Sequence, residues 1–379
     1  MKINQIQISK KENVMDTLAS ITPTDYDLHF IFADKLYFDD EKINHFLKEH
    51  FKGSIISGCS ACGEIAGKNF SENSFSLTSV KFKNTPIKKV SILINGPEDS
   101  YQAGLEIVNK LDSHQLKHIF ILSDGNSVNG TRLLEGINKN ISKTINISGG
   151  LAGDNAQFIK TYVADENNEF RSNCISAIGF YGDHIITESG SFGGWDSFGL
   201  DRMVTKSVEN TVYEIDHQPA LELYKSYLGE RSSELPGSAM YFPLEMRETE
   251  FSEPLVRTIL GIDEENKSMT FAGNIPEGSF VRLMKTNVNR VIEGANKSAK
   301  IITENLNSSP ELIIMISCVG RKIVLKQLTQ DEVNAVTEIF DTKTCFTGFY
   351  SHGEISKMKF IENCKLHNQT MTLTAFTEK

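Results

Sequence analysis

Apolar residues in this chain gather in short blocks, and three of the blocks head nearly the same arrangement. Leu28-His29-Phe30-Ile31-Phe32-Ala33, His118-Ile119-Phe120-Ile121-Leu122 and Leu312-Ile313-Ile314-Met315-Ile316 are continuous apolar runs of strand length. A stretch with helical spacing follows each, over 40–51, 130–141 and 331–340, and then a second short strand at 54–57, 145–148 and 345–347. Each second strand enters a glycine turn ending on glycine plus an acid. The turns are Gly58-Cys59-Ser60-Ala61-Cys62-Gly63-Glu64, Gly149-Gly150-Leu151-Ala152-Gly153-Asp154 and Gly348-Phe349-Tyr350-Ser351-His352-Gly353-Glu354. A strand–helix–strand–turn unit used three times is therefore expected.

Between these units the period changes to two. Residues 75–82, 90–95, 159–164, 174–181 and 204–215 read as strands, and 100–111 as a helix. A short extended arm and one amphipathic helical segment precede residue 26, while 165–168 and 189–194 read as turns. Asp216 is placed to cap a helix over 220–228 that carries Pro219 in its first turn and stops at Gly229. Beyond it, 253–262, 268–272 and 279–285 suggest a meander, 288–305 a helix and 367–375 a last strand. The fold expected is α/β, with mixed parallel and antiparallel sheets flanked by helices, in two domains, 1–217 and 218–379.

The 379 residues carry a net charge of -10 with no block of clustered Lys and Arg, which argues against nucleic acid as a partner. No apolar run approaches membrane-spanning length, and the N-terminal residues lack the apolar core of a signal peptide. The six cysteines form no disulfide framework, so a cytoplasmic location is expected.

Glycines at strand ends let a ligand approach the backbone, which makes the three turns the candidate site. Glu64, Asp154 and Glu354 are placed to receive an ammonium group or an Arg, or alternatively to bind backbone amides. Cys59 with Cys62 is a lone C-x-x-C without the second pair that a structural zinc requires. The spacing fits neither a nucleophile elbow nor a phosphate loop. Counted back from the shared glycine, His352 falls opposite Cys62 and Ala152, and Tyr350 opposite Ser60 and Gly150. Such a histidine can ligate a metal or haem, donate to a carboxylate, or be structural. Arg257, inside an apolar strand, needs an anionic partner: a turn acid is the favoured expectation, a ligand carboxylate the other. The rival class is a hydrolase or transferase with Cys59 or Ser60 as nucleophile and His352 as base.

At these residues the sequence resembles the FIST family of sensory modules. The first part is matched by the turn at 58–65, by Leu122-Ser123-Asp124-Gly125, Leu133-Leu134-Glu135-Gly136 and the turn at 149–154. The second is matched by Pro219-Ala220-Leu221, Val256-Arg257, Gly261-Ile262-Asp263, Pro276-Glu277-Gly278, Ser317-Cys318 with Gly320-Arg321, the turn at 348–355 and His367-Asn368-Gln369-Thr370. The resemblance implies sensing of a small ligand such as an amino acid rather than turnover. It implies contacts from Cys59, Ser60, Gly63, Glu64, Gly153, Asp154, Arg257, Tyr350, His352, Glu354 and Asn368. Many members are fused to histidine kinase, diguanylate cyclase or chemoreceptor modules. No residues here are left over for such an output, so a separate partner, a histidine kinase for instance, is expected. Some stand-alone members look like haem proteins that sense nitric oxide. That version makes haem the cofactor and His352 its axial ligand, although no C-x-x-C-H attachment motif is present.

Overall fold

The computed structural model describes residues 1–306, 308–357 and 363–379. Three sheets of six strands share one order of parts. In each, a parallel pair forms the middle: Leu28–Ala33 with Ile55–Ser60, Leu116–Ser123 with Asn146–Leu151, and Leu312–Cys318 with Cys345–Ser351. On one side of each pair lie two antiparallel strands from the same stretch of chain. They are Phe75–Lys81 and Lys2–Ile8, Cys174–Tyr181 and Ile87–Leu93, and Met371–Glu378 and Ile185–Phe192.

On the other side lies a hairpin borrowed from a different stretch. Glu64–Ala66 and Asn69–Ser71, following the first turn, join the third sheet. Val163–Ala164 and Phe170–Arg171, following the second, join the first sheet. Gly353–Ser356 and Lys365–His367, following the third, join the second. Each glycine turn is thus the point where the chain crosses from its own sheet to a neighbour's.

Period-two alternation fixes how the sheets pack. Phe30, Phe32, Phe120, Leu122, Ile314, Ile316 and Phe349 point to a common apolar centre, whereas Ile31 and Ala33 face the outer helices of their own sheet. Helices cover the outsides: Glu41–His50, Ser100–Leu111 with Gly130–Asn140, and Val288–Asn305 with Thr329–Thr337. Glu41–His50 starts where the Asp40 side chain accepts the Lys42 amide, and Val288–Asn305 where Asn287 accepts that of Arg290.

Residues 196–285 form a separate eight-stranded antiparallel sheet with the helix Ala220–Leu228 packed on it. Asp216 and His217, both at positive φ, turn the chain between Thr211–Ile215 and Gln218–Pro219. Strands from both sides of residue 217 share that one sheet. Asp216 caps no helix; it binds Arg202 at 2.9 Å and the Met203 amide. Residues 189–194, expected as a turn, mostly extend the strand Ile185–Phe192, which pairs along its length with the final strand, from Ile185 opposite Glu378 to Phe192 opposite Met371. Residues 204–215 make a hairpin rather than one strand, and only Val163–Ala164 of 159–164 is strand. A helix at Val319–Leu325, not expected, follows the third unit's first strand directly.

Candidate functional site

The three turns interlock at the point where the sheets meet. The Gly153 amide donates to the Ser60 carbonyl at 2.9 Å, the His352 amide to Leu151 at 3.1 Å, and the Cys62 amide to Tyr350 at 2.8 Å. Strand register agrees with this ring. Gly58, Gly149 and Gly348 lie opposite Ile31, Ile121 and Met315. A Cβ on Gly149 or Gly348 would stand 1.8 or 1.9 Å from the facing carbonyl oxygen, so only glycine fits there. The second turn is therefore offset by one from the sequence alignment. Gly153, not Ala152, is the counterpart of Cys62 and His352, and Leu151, not Gly150, that of Ser60 and Tyr350. Glu64 and Glu354 correspond to one another, while Asp154 occupies the glycine position.

The acids divide in the same way. Glu64 Oε2 accepts the amide and hydroxyl of Ser74 at 3.1 and 2.7 Å; Glu354 Oε2 accepts those of Thr370 at 3.2 and 2.9 Å, and its Oε1 accepts Ser351 Oγ at 2.6 Å. Both pin the strand that follows the hairpin, and burial raises each carboxyl to about 8. Asp154 instead accepts the amides of Phe158, Ile159 and Lys160 at 2.9, 2.7 and 3.0 Å. Burial would raise its carboxyl, but the hydrogen bonds from His352 and these amides hold it well below the ordinary range.

Asp154, His352 and Cys62 come together. His352 Nε2 lies 3.2 Å from Asp154 Oδ1 and 3.3 Å from the Asp154 amide, so a protonated nitrogen donates to the carboxylate and a bare one accepts the amide. Burial would lower this imidazole, yet Cys62 and Asp154 outweigh it and raise it to about 9. Cys62 Sγ accepts the Asn155 amide at 3.1 Å, and Lys322 Nζ donates to the Cys62 carbonyl at 2.6 Å and to Asn155 Oδ1 at 3.2 Å. Asn155 Nδ2 donates to Asp34 at 2.9 Å. The Phe158 ring lies across the imidazole, with centroids 4.6 Å apart.

The remaining candidates are dispersed. Cys59 points the opposite way from Cys62, into the apolar centre, where burial lifts its thiol well above the usual range. Ser60 Oγ accepts the Tyr162 amide at 3.0 Å. Neither is set against His352, so the nucleophile–base pairing expected of Cys59 or Ser60 is not formed. Gly63, at φ 126°, packs on the Phe70 ring. Tyr350 donates to Glu332 at 2.6 Å inside a closed network with Arg321 and Ser317. Asn368 Oδ1 accepts the Thr258 amide at 3.4 Å. His352 does not fit a haem: Nε2 is engaged by Asp154, Phe158 covers a face, Gly125 lies against Nδ1, and the side chain is 2% exposed. Asp34, Asn155 and Lys322 carried no sequence signal, since they reach the turns from other units.

Arg257 occupies a different place. It lies in the wall of a cleft of about 360 Å³ between the helix Gly130–Asn140 and the inserted sheet. Its guanidinium donates to the carbonyls of Asn274, Val256 and Leu366 at 3.2, 3.2 and 3.1 Å. Among the described residues no carboxylate pairs with it, so the ion pair expected with a turn acid is absent. Burial lowers it to about 10, which leaves it charged at neutral pH. Glu248, the carboxylate that acts on it most, is already bound to Lys365 at 2.7 Å. Arg132 and Glu135, paired at 2.7 Å, border the same cleft, as do Glu209 and Glu277.

The arrangement defines a mixed α/β protein with an inserted antiparallel sheet and a ligand-sized cleft where the two meet. The chain belongs to the FIST family: residues 27–218 match the FIST N domain and 220–357 the FIST C domain, a pair of sensory domains of signal transduction. It is similar to an uncharacterized protein of Methanocaldococcus jannaschii, 25% identical over 361 residues that make up 84% of this chain and 64% of that protein. The chain thus spans less than two thirds of that relative's length. Among solved structures, cyanuric acid hydrolase from A. caulinodans aligns over 100% of this chain and 99% of its own, at 5% identity and a TM-score of 0.38. A chorismatase aligns over 99% and 98%, at 8% identity and 0.34. Among the described residues no helix is long and apolar enough to cross a membrane.

Proposed function

We propose that this protein senses a small carboxylate ligand, an amino acid or close derivative, in the cleft between its second unit and the inserted sheet, and regulates a separate partner such as a histidine kinase. The observation that carries this reading is Arg257, a buried cation in the cleft wall with three carbonyl contacts and no counter-ion among the described residues. A charge buried without a counter-ion is costly, and a ligand carboxylate would relieve that cost. Guanidinium geometry suits a carboxylate in two-point contact. Glu135, Glu209, Glu248 and Glu277 around the same cleft suit an ammonium group, and the volume is within the usual range for small ligands.

The cleft walls are joined by polar contacts. Asn129 Nδ2 donates to Glu209 and Asn274 at 2.9 and 3.0 Å, and the Asn274 amide donates to Thr131 at 3.2 Å. Small polar interfaces permit relative motion of the parts they join. A ligand touching both walls would favour one orientation over another, and a partner reading that orientation would receive the signal. A thermal-shift screen of amino acids against the matching amines without a carboxylate tests this. Stabilisation by an acid and not by its amine supports the reading; stabilisation by neither, or equally by both, refutes it.

A further inference from the structure

The cleft that holds Arg257 carries a charge pattern that a ligand carboxylate alone leaves unbalanced. Resting on the reading of that cleft as the sensory site, we propose that its ligand is a basic amino acid, of the lysine, ornithine or arginine type. Arg257 takes the carboxylate, Glu209 the α-ammonium group and Glu277 the side-chain cation.

Two ion pairs at the border of the cleft neutralise themselves: Arg132 with Glu135 and Lys365 with Glu248, each at 2.7 Å. Arg257, Glu209 and Glu277 then remain without an ion pair among the described residues. One cation and two carboxylates are balanced by a ligand that carries one carboxylate and two cations. A neutral amino acid would leave one glutamate uncompensated. An acidic one would add negative charge to a cleft that already holds the excess.

The guanidinium has a donor to spare. Arg257 is 2% exposed, and its Nε and Nη1 go to carbonyls, while Nη2 has no acceptor among the described residues. A buried donor left unmade is costly, so Nη2 is where a carboxylate oxygen would bind. Gly273 leaves the guanidinium its room, since a Cβ there would stand 3.1 Å from both Cζ and Nε. Asn274 ties this end to the first acid. Its carbonyl accepts Arg257 Nε, and its Oδ1 accepts Asn129 Nδ2, which also donates to Glu209 Oε2. The Glu209 carbonyl accepts the Ile275 amide at 3.0 Å, which holds the residue against the same segment. Its Oε1 has no donor among the described residues. Glu209 is thus linked to Arg257 through two side chains, a placement that suits an α-ammonium group one carbon away from the ligand's carboxylate.

Glu277 is left for the second cation. It follows Ile275 and Pro276 on the same wall, is exposed, and makes no hydrogen bond or ion pair among the described residues. An exposed carboxylate contributes modestly to a charge pair, and salt screens it. The preference for a cationic over an apolar side chain of equal length is therefore about fivefold at low ionic strength, and it shrinks as salt is added.

The test is calorimetric titration of the whole chain at low ionic strength with lysine, ornithine and arginine, and with norleucine, which has the length of lysine without its terminal ammonium group. The tightest basic amino acid should bind about fivefold more tightly than norleucine. Glu277→Gln, a change at an exposed position that should leave the fold intact, should bring that ligand down to the affinity of norleucine. Glu209→Gln should weaken the basic ligand and norleucine alike, and a variant that weakens neither overturns the placement of the α-ammonium group. Norleucine binding as tightly as every basic amino acid, or a preference that Glu277→Gln leaves in place, overturns this inference while the carboxylate reading stands. No heat from any of these ligands overturns both.

Discussion

Replacing Glu354 with Gln should change how stability depends on pH more than it changes stability at any one pH. Glu354 is wholly buried, with Ser351 Oγ on one oxygen and the Thr370 amide and hydroxyl on the other. Burial lifts its carboxyl from 4.5 to about 8. Between those values the folded protein holds a proton that the unfolded chain has shed, so raising the pH favours unfolding. Each pH unit in that window removes about 1.4 kcal/mol, and the window from about pH 5 to about pH 7.5 removes about 3 kcal/mol in all. Glutamine resembles the protonated acid and has nothing to titrate. Its own misfit with the Thr370 amide is a constant offset. Urea unfolding of wild type and Glu354→Gln across that pH range should give a difference that moves in favour of the variant by about 3 kcal/mol and levels off above about pH 8. A difference that stays flat would mean that Glu354 is ionised in the fold, and would refute burial as the dominant influence on it.

The His352 imidazole, raised to about 9, stabilises the fold fully below its ordinary 6.5, and that contribution is lost as pH rises through about 9. Cys62→Ser and Asp154→Asn should each lower its titration midpoint, and together bring it under 6.5, as followed by imidazole NMR; a midpoint that stays near 9 in the double variant contradicts the assigned partners. Gly149→Ala should cost about 3 kcal/mol or more, since its Cβ would meet the Ile121 carbonyl at 1.8 Å in a backbone conformation that disfavours alanine. Gly261→Ala, with open space around it, should stay within about 0.5 kcal/mol, and equal melting temperatures for the two would undercut the close-packed turn.

The parallel pairs and their helices were legible because a fully buried strand reads as a continuous apolar run, as at 28–33 and 312–316, and the helices between repeat every 3.6 residues. The hairpins were not. Glu64–Ala66 and Val163–Ala164 are too short for a period, and their pairing with another unit's sheet is a long-range choice with no local signal. The inserted sheet was partly hidden for a related reason: the turn at Asp216-His217 uses left-handed residues where a helix cap with Pro219 was equally consistent. The glycine turns stood out as candidates, but their alignment slipped by one in the second unit because glycine occupies adjacent positions there. The hydrogen-bond ring and the strand register separate Gly153 from Ala152. Arg257 was conspicuous as a cation in an apolar strand, whereas its lack of a carboxylate partner among the described residues depends on what the fold brings near it. Cys62 was visible only as half of a C-x-x-C, and its alignment with His352 follows from the crossing of the chain between sheets.

The most direct test of the cleft is calorimetric titration of the amino acid that most raises the melting temperature, against wild type and Arg257→Gln. Loss of a buried, charge-assisted pairing should weaken binding by about 2 kcal/mol or more, roughly thirtyfold, while the matching amine binds neither protein. Equal affinity for wild type and Arg257→Gln, or no heat from any amino acid with wild type, would contradict the assignment of this cleft as the sensory site.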